Sequence, residues 1–153
     1  MKKSLLALSA ILAFATTNAQ ANNAQKIAVV KQAYDNVRKV QDWLATLRRY
    51  GTANLNYNLG LDETDPDFDI VPCYFYWGSG GDPFYGSSDP DFTAKVSVGM
   101  NSRGWVVASV YSSRYRTSHS VAYVVKLENG KYKIDDIILY GRSFNAYAKK
   151  YCS

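Results

Sequence analysis

Two adjacent carboxylates, Asp135 and Asp136, are the residues of this sequence whose type and position most favour chemistry. They lie in residues 131–139, a run that we predict to be a β-strand. In a regular strand Asp136 shares a face with Ile134 and Ile138, and burial there would raise its pKa and suit it to proton transfer. The alternative is a β-bulge or strand rim where Asp136 accepts hydrogen bonds. We favour that alternative, because an unpaired buried charge is costly.

A second group of acids has the spacing of a calcium loop. Asp65, Asp67 and Asp69 form a D-x-D-x-D start. An EF-hand needs glycine at the sixth position and glutamate at the twelfth, where this chain has Ile70 and Tyr76. The pattern excludes an EF-hand and leaves a looser calcium site open, and we predict neither a metal nor a cofactor.

The single histidine, His119, lies between Ser118 and Ser120 in a strand-like run. Neighbouring strand residues point to opposite faces, so neither serine is placed to form a catalytic triad with it. The sequence also contains no G-x-S-x-G, H-E-x-x-H, C-x-x-C or phosphate-binding glycine motif. We therefore predict no catalytic residues.

Tyrosine and arginine in two glycine- or serine-rich segments favour recognition of another molecule. The first segment is 78–85, in which glycines precede Asp82, Phe84 and Tyr85. The second is the polar connection 112–118. We predict that both segments lie on one side of the domain, and the candidate binding residues are Asp82, Phe84, Tyr85, Arg114, Tyr115 and Arg116. The alternative is that the aromatic side chains fill the core beneath a long loop.

The start of the chain has the pattern of a signal peptide. Lys2 and Lys3 precede an apolar run over 5–15, and Ala19-Gln20-Ala21 supplies the A-x-A cleavage pattern. We predict cleavage after Ala21, which leaves 22–153 as one domain in the periplasm or outside the cell. The apolar run is too short to span a bilayer, although an uncleaved anchor is the alternative.

Charge and composition exclude several classes of protein. The 153 residues include 18 Lys and Arg against 13 Asp and Glu, for a net charge of +5. Removal of residues 1–21 lowers this to +3, a mild surplus that does not indicate a nucleic-acid-binding protein. With 47% hydrophobic and 20% charged residues the composition is globular rather than disordered.

Cys73 and Cys152 are the only two cysteines. An exported protein is exposed to oxidising conditions, so we predict a disulfide between them, with two free thiols as the alternative.

Helix and strand patterns predict an α+β fold. Apolar residues at spacings of three and four predict one amphipathic helix over 24–50. Residues 51–91 contain all four prolines and read as an ordered loop, with a short strand possible at 71–77. Four antiparallel strands follow at 92–98, 105–111, 121–127 and 131–139, the last two joined by the hairpin sequence Asn129-Gly130. Ser143 is positioned to cap a short final helix.

The order of these parts resembles an uncharacterised family of small exported bacterial domains. The similar pieces are Ala33-Tyr34, Asp82-Pro83-Phe84 and the run 129–137, which reads N-G-K-Y-K-I-D-D-I. The resemblance implies a cystatin-like, or nuclear-transport-factor-2-like, cone in which the long helix packs on a four-stranded antiparallel sheet. That group of folds includes enzymes, ligand carriers, immunity proteins and dimerisation modules, so the resemblance restricts the fold more than the function.

Together these observations predict a non-catalytic exported domain that binds another protein, of the inhibitor or immunity type. One alternative is a small-ligand-binding or hydrolytic domain that uses Asp136 in a sheet pocket. A second alternative is a structural or dimerisation module of the envelope. The sequence predicts a protein partner and no nucleic acid, no membrane span after cleavage, and leaves the oligomeric state open.

Overall fold

A computed structural model describes residues 4–60, 72–78 and 81–152 of the chain. The described residues form an α+β fold in which helices precede and follow one antiparallel sheet. The helices are α1 (Ser4–Val40), α2 (Trp43–Tyr50), α3 (Ala53–Asn58), α4 (Pro72–Gly78) and α5 (Phe144–Tyr151). The strands are β1 (Lys95–Met100), β2 (Val106–Ser112), β3 (Thr117–Glu128), β4 (Lys131–Leu139) and β5 (Arg142–Ser143). In these parts of the chain no helix combines the length and apolar character needed to cross a membrane.

The predicted helix over 24–50 is two helices. The break lies at Gln41, which has a φ of 55° in the left-handed region. Asp42 then starts α2, where its side chain accepts a 2.9 Å hydrogen bond from the backbone N–H of Ala45. The N-cap at Asp42 therefore divides the predicted helix, although the apolar spacing of three and four residues continues across the break. The break lets both helices bury an apolar side, represented by Val37 on α1 and Leu47 on α2.

The short strand considered at 71–77 is wrong, because these residues belong to helix α4. Proline suits the first position of a helix, and Pro72 occupies it here. Tyr74 and Trp77 lie three positions apart on one face and are buried. Both rings pack on Phe144 of α5, with centroid distances of 5.8 and 5.3 Å. Packing against α5 thus overrides the strand preference of the aromatic residues.

The sheet is a meander with the strand order β1-β2-β3-β4-β5. The four predicted strands correspond to β1–β4, although β1 begins at Lys95 instead of 92 and β3 at Thr117 instead of 121, and the structure adds the two-residue β5. Asn129 and Gly130 have φ values of 51° and 76°, as a two-residue turn between β3 and β4 requires. Tyr140 and Gly141, at 52° and 75°, make a second such turn that creates β5.

One face of the sheet packs on the helices and forms the core. Alternate strand residues point to this inner face, among them Val106, Ala108, Val121 and Tyr123, and each is buried. They meet the apolar stripe of α1, which includes Val30. The residues between them point to the outer face, where Ser109 and Ser120 are exposed.

The acid pair creates a bulge in β4, as the favoured alternative predicts. Val124 pairs with Asp136 while Val125 pairs with Ile134, so Asp135 is the additional residue. In a regular strand, residues three positions apart point to opposite faces of the sheet. The additional residue in the bulge lets Ile134 and Ile137 both face the core, where both are fully buried. Asp136 therefore does not share a regular strand face with its apolar neighbours.

Candidate functional site

A tight turn spans residues 81–87, and its first five residues are buried. One carboxylate oxygen of Asp82 accepts hydrogen bonds from the backbone N–H groups of Phe84 at 2.7 Å and Tyr85 at 3.1 Å. Backbone bonds from Gly86 to Asp82 and from Asp82 to Ser87 close the same turn. Burial raises the pKa of Asp82 to about 6, and the two backbone hydrogen bonds oppose that rise. Asp82 therefore organises the turn from inside.

Three buried tyrosine hydroxyls hold the backbone carbonyls of this turn. We call them the tyrosine clasp: Tyr34 of α1, Tyr74 of α4 and Tyr123 of β3. Tyr74 donates to Gly81 at 2.8 Å, Tyr34 to Phe84 at 2.8 Å and Tyr123 to Pro83 at 3.4 Å. Burial raises the pKa of all three hydroxyls, so they stay protonated and able to donate.

Two of the predicted binding residues, Asp82 and Phe84, are buried in the turn that the tyrosine clasp holds. Phe84 is fully buried and Asp82 is 6% exposed, so neither side chain lies on a surface in this structure. Phe84 packs edge-to-face on Tyr34, with the ring centroids 5.1 Å apart. Phe84 is thus part of the core beneath the loop, as the alternative interpretation expects for such aromatic residues. Tyr85 is also buried, but part of it reaches the surface depression described next.

A groove of about 410 Å³ opens where the 85–91 segment meets the β2–β3 hairpin. We call it the hairpin groove. It is lined by aromatic, acidic and small polar residues: Tyr85, Gly86, Ser87, Asp89, Asp91, Ala94, Val110, Ser112, Tyr115, Thr117, Ser118, His119 and Tyr140. Tyr85 and Tyr115 come from the two segments that we expect to lie on one side, and both line this groove. Arg114 and Arg116 are exposed on the same hairpin tip.

Tyr115 is held in one position at the edge of the groove. Its hydroxyl donates a 2.6 Å hydrogen bond to Asp89, and this bond raises the pKa of the phenol. Its backbone N–H donates to the hydroxyl of Ser112 at 3.1 Å. The guanidinium of Arg114 lies 5.0 Å from the centre of its ring. The aromatic side chain is thus exposed and restrained at the same time.

Asp91 and His119, which also line the groove, make hydrogen bonds to neighbouring residues. Asp91 accepts hydrogen bonds from the hydroxyls of Ser112 at 2.5 Å and Thr93 at 2.6 Å, and these bonds lower its pKa. His119 contacts the carbonyl oxygen of Phe84 through Nε2 at 3.2 Å. These contacts restrain both side chains, and the structure places no serine hydroxyl in hydrogen-bond contact with His119 among the described residues.

Asp136, the alternative pocket acid, does not line the hairpin groove. It accepts hydrogen bonds from the backbone N–H groups of Ile137 and Asn145, each at 2.9 Å, and from the hydroxyl of Ser143 at 2.5 Å. Burial raises its pKa, while these three bonds lower it. The contacts tie β4 to the start of α5. Its neighbour Asp135 pairs with Lys126 at 2.6 Å.

Cys73 of α4 and Cys152 at the end of α5 form a disulfide, as predicted, with their Cα atoms 6.0 Å apart. It connects the segment before the buried turn to the C-terminal helix. A disulfide indicates an extracytoplasmic protein, because thiols in the cytoplasm are kept reduced.

Metal ligation is not evident in the parts of the chain that the structure describes, which hold no cluster of three or more His, Cys, Asp or Glu suited to a metal ion. The calcium-like group Asp65, Asp67 and Asp69 lies outside the described residues.

Sequence reasoning missed several residues that shape this region. Asp89 and Asp91 flank Pro90, and an Asp-Pro pair followed by a further acid is a signal for side-chain-capped turns that could have indicated them. Tyr34 and Tyr123 gave no such signal, because each occupies an apolar position of its helix or strand. Only the fold shows that their hydroxyls meet, 3.0 Å apart.

Comparisons of this chain with protein-family models, with curated proteins and with solved structures gave no match.

Proposed function

We propose that this protein is a non-catalytic, exported binding domain that recognises another protein through the hairpin groove, as an inhibitor or immunity-type protein does. The observation that carries the proposal is the restrained exposure of Tyr115, which is 39% exposed yet fixed by Asp89 and Arg114. An aromatic residue held in place before binding loses little conformational entropy on association. Tyrosine and arginine side chains are also the residues that most often dominate binding energy.

Export is the second part of the proposal. The disulfide between Cys73 and Cys152 supports it, since such a bond persists in the periplasm or outside the cell. Cleavage after Ala21 and a cystatin-like or nuclear-transport-factor-2-like cone remain part of the proposed description. The intact mass of protein recovered from the envelope tests the cleavage site, and a mass that retains residues 5–15 would refute it.

The alternative that uses Asp136 as a pocket acid has less support. Its carboxylate is occupied by three hydrogen bonds, and Asp136 does not line the hairpin groove. A dimerisation module remains a proposal that a measurement of molecular mass tests.

The test of the proposed function is capture of a partner by matched variants. The tagged protein serves as bait in an envelope extract, and the protein it captures is purified and its affinity measured. Tyr115→Ala should weaken this affinity by about 1–3 kcal/mol, as the loss of an aromatic anchor does. Tyr57→Ala is the matched control, because Tyr57 is a 66% exposed tyrosine on α3, outside the groove lining.

The proposal would be overturned by the opposite pattern, in which Tyr115→Ala binds the partner with unchanged affinity and Asp136→Asn no longer binds it. That result would favour the alternative that uses Asp136 as a pocket acid.

A further inference from the structure

The outer face of the sheet contains a second depression, of about 380 Å³, that the hairpin groove does not explain. Its outward-pointing lining residues form two rows across β1, β2 and β3. The strand register places Ser97, Ser109 and Ser120 side by side in one row. Lys95, Tyr111 and Ser118 form the adjacent row. We call these six residues the serine grid.

The serine grid is open because its side chains are small. All six residues are exposed, and serine rises less from a sheet than the lysine and tyrosine beside it. Adjacent strands are about 4.8 Å apart, so the row of three serines presents hydroxyls over about 10 Å. Ser109 and Ser120 lie 3.3 Å apart through their hydroxyl oxygens, which leaves each able to make further hydrogen bonds.

The side chains of the serine grid are chemically complementary to a saccharide. Serine hydroxyls donate and accept, and so do the hydroxyls of a saccharide. Tyr111 is 46% exposed and offers a flat apolar surface beside the hydroxyl row, to which the C–H face of a sugar ring is complementary. Lys95 has no ion-pair partner in the described part of the chain and adds a positive charge.

We infer that the serine grid binds an acidic saccharide, with Tyr111 stacking on a sugar ring, the serines bonding to its hydroxyls and Lys95 pairing with its carboxylate. This inference does not depend on the protein partner proposed for the hairpin groove, because five of the six grid residues do not line that groove. Ser118, Val110 and His119 line both depressions.

The test is an NMR titration of the full exported protein with two hexasaccharides, one of galacturonate and one of alternating glucuronate and N-acetylglucosamine. Maltohexaose is the neutral control. We expect amide shifts confined to 95–97, 109–111 and 118–120 with at least one acidic hexamer, and weaker shifts with the neutral one.

Variants separate the contributions. Tyr111→Ser and Ser109→Val should each reduce affinity by about tenfold, the effect of losing one stacking contact or hydrogen bond of ordinary strength. Lys95→Gln should remove the preference for the acidic over the neutral saccharide. Leu127→Ser is the control, since Leu127 is 63% exposed on β3 and is not part of the serine grid.

Absence of shifts with both acidic hexamers would overturn the inference. So would shifts that survive Tyr111→Ser and Ser109→Val unchanged. Doubling of the molecular mass in sedimentation, abolished by Tyr111→Ser and unaffected by saccharide, would instead assign the face to a second copy of the chain.

Discussion

The hydroxyl of Tyr34 donates a 2.8 Å hydrogen bond to the backbone carbonyl of Phe84, fifty positions further along the chain. The same hydroxyl lies 3.0 Å from that of Tyr123. Helix α1, the 81–87 turn and strand β3 are thus joined at one buried polar point. Since the turn supports the segment that lines the hairpin groove, the shape of the groove depends on this contact.

Tyr34→Phe should destabilise the protein by about 1–2 kcal/mol, because a buried carbonyl loses its principal donor while the ring packing stays. Urea unfolding measures the change. Tyr57→Phe, at an exposed position, should leave the free energy of unfolding unchanged. Equal stability of the two variants would show that the tyrosine clasp adds nothing to folding.

Asp82 should make the protein more stable as the pH falls. Its pKa is raised to about 6 in the folded chain from an ordinary value of 3.8, so between these values the folded state binds more protons than the unfolded state. Stability is therefore gained as the pH falls from 7 to 4 and lost as the pH rises through 6.

Asp82→Asn keeps an oxygen to accept both backbone bonds and removes the titration. The increase in unfolding free energy from pH 7 to pH 4 should be smaller by about 2 kcal/mol in this variant. Burial also raises the pKa of Asp136, so the difference between the two proteins, and not the slope itself, measures Asp82. Identical pH profiles would contradict the assignment.

Gly86→Ala should cost more than Gly104→Ala. Both glycines have positive φ, 63° and 74°, so alanine is strained at either position by about 1 kcal/mol. A Cβ on Gly86 would also lie 3.0 Å from the ring of His119, whereas one on Gly104 meets nothing within 4 Å. Thermal unfolding of the two variants measures the difference, and equal losses would exclude a tight contact with His119.

Asp136→Ala should lower stability by about 2 kcal/mol, since the start of α5 and the end of β4 lose their common acceptor. Chemical unfolding measures this, with Asp35→Ala at an exposed position of α1 as control. Affinity for the captured partner should be unchanged. A variant of full stability that has lost all binding would favour the pocket-acid alternative.

Replacement of Cys73 and Cys152 by serine should lower stability by about 2–4 kcal/mol. Thiol titration of the native protein under denaturing conditions should find no free sulfhydryl. Two titratable thiols would refute the disulfide.

The strands and turns of the sheet could be predicted because they depend on residues that are close together in the sequence. Strand β4 has the predicted bounds, Asn129-Gly130 makes the predicted turn, and Ser143 caps α5 by accepting a bond from Ala146. Each of these depends on residues within a few positions of one another. The bulge at Asp135 was predictable for the same reason, as a regular strand would bury an unpaired charge.

Contacts between distant segments were not predictable. The helix at 72–78 depends on packing against α5, and the burial of Phe84 depends on Tyr34 and Tyr123. In the sequence alone, an aromatic residue beside glycine and proline reads equally well as a surface anchor or as core. The serine grid is likewise invisible before the strand register is known, since its serines come from three strands.

The disulfide makes a closed covalent ring of residues 73–152, and this ring contains all five strands. Under a mechanical load applied at Ala19 and Cys152, α1, α2 and α3 can be drawn out as an extended thread, but the ring cannot. The two cysteines are separated by 79 positions, and the chain between them cannot extend while the disulfide is intact. This corresponds to about 280 Å of contour length at about 3.6 Å per residue. A reducing agent would release that length. In the oxidised protein the five strands therefore lie outside the path of the load, even after α1, α2 and α3 have been pulled away.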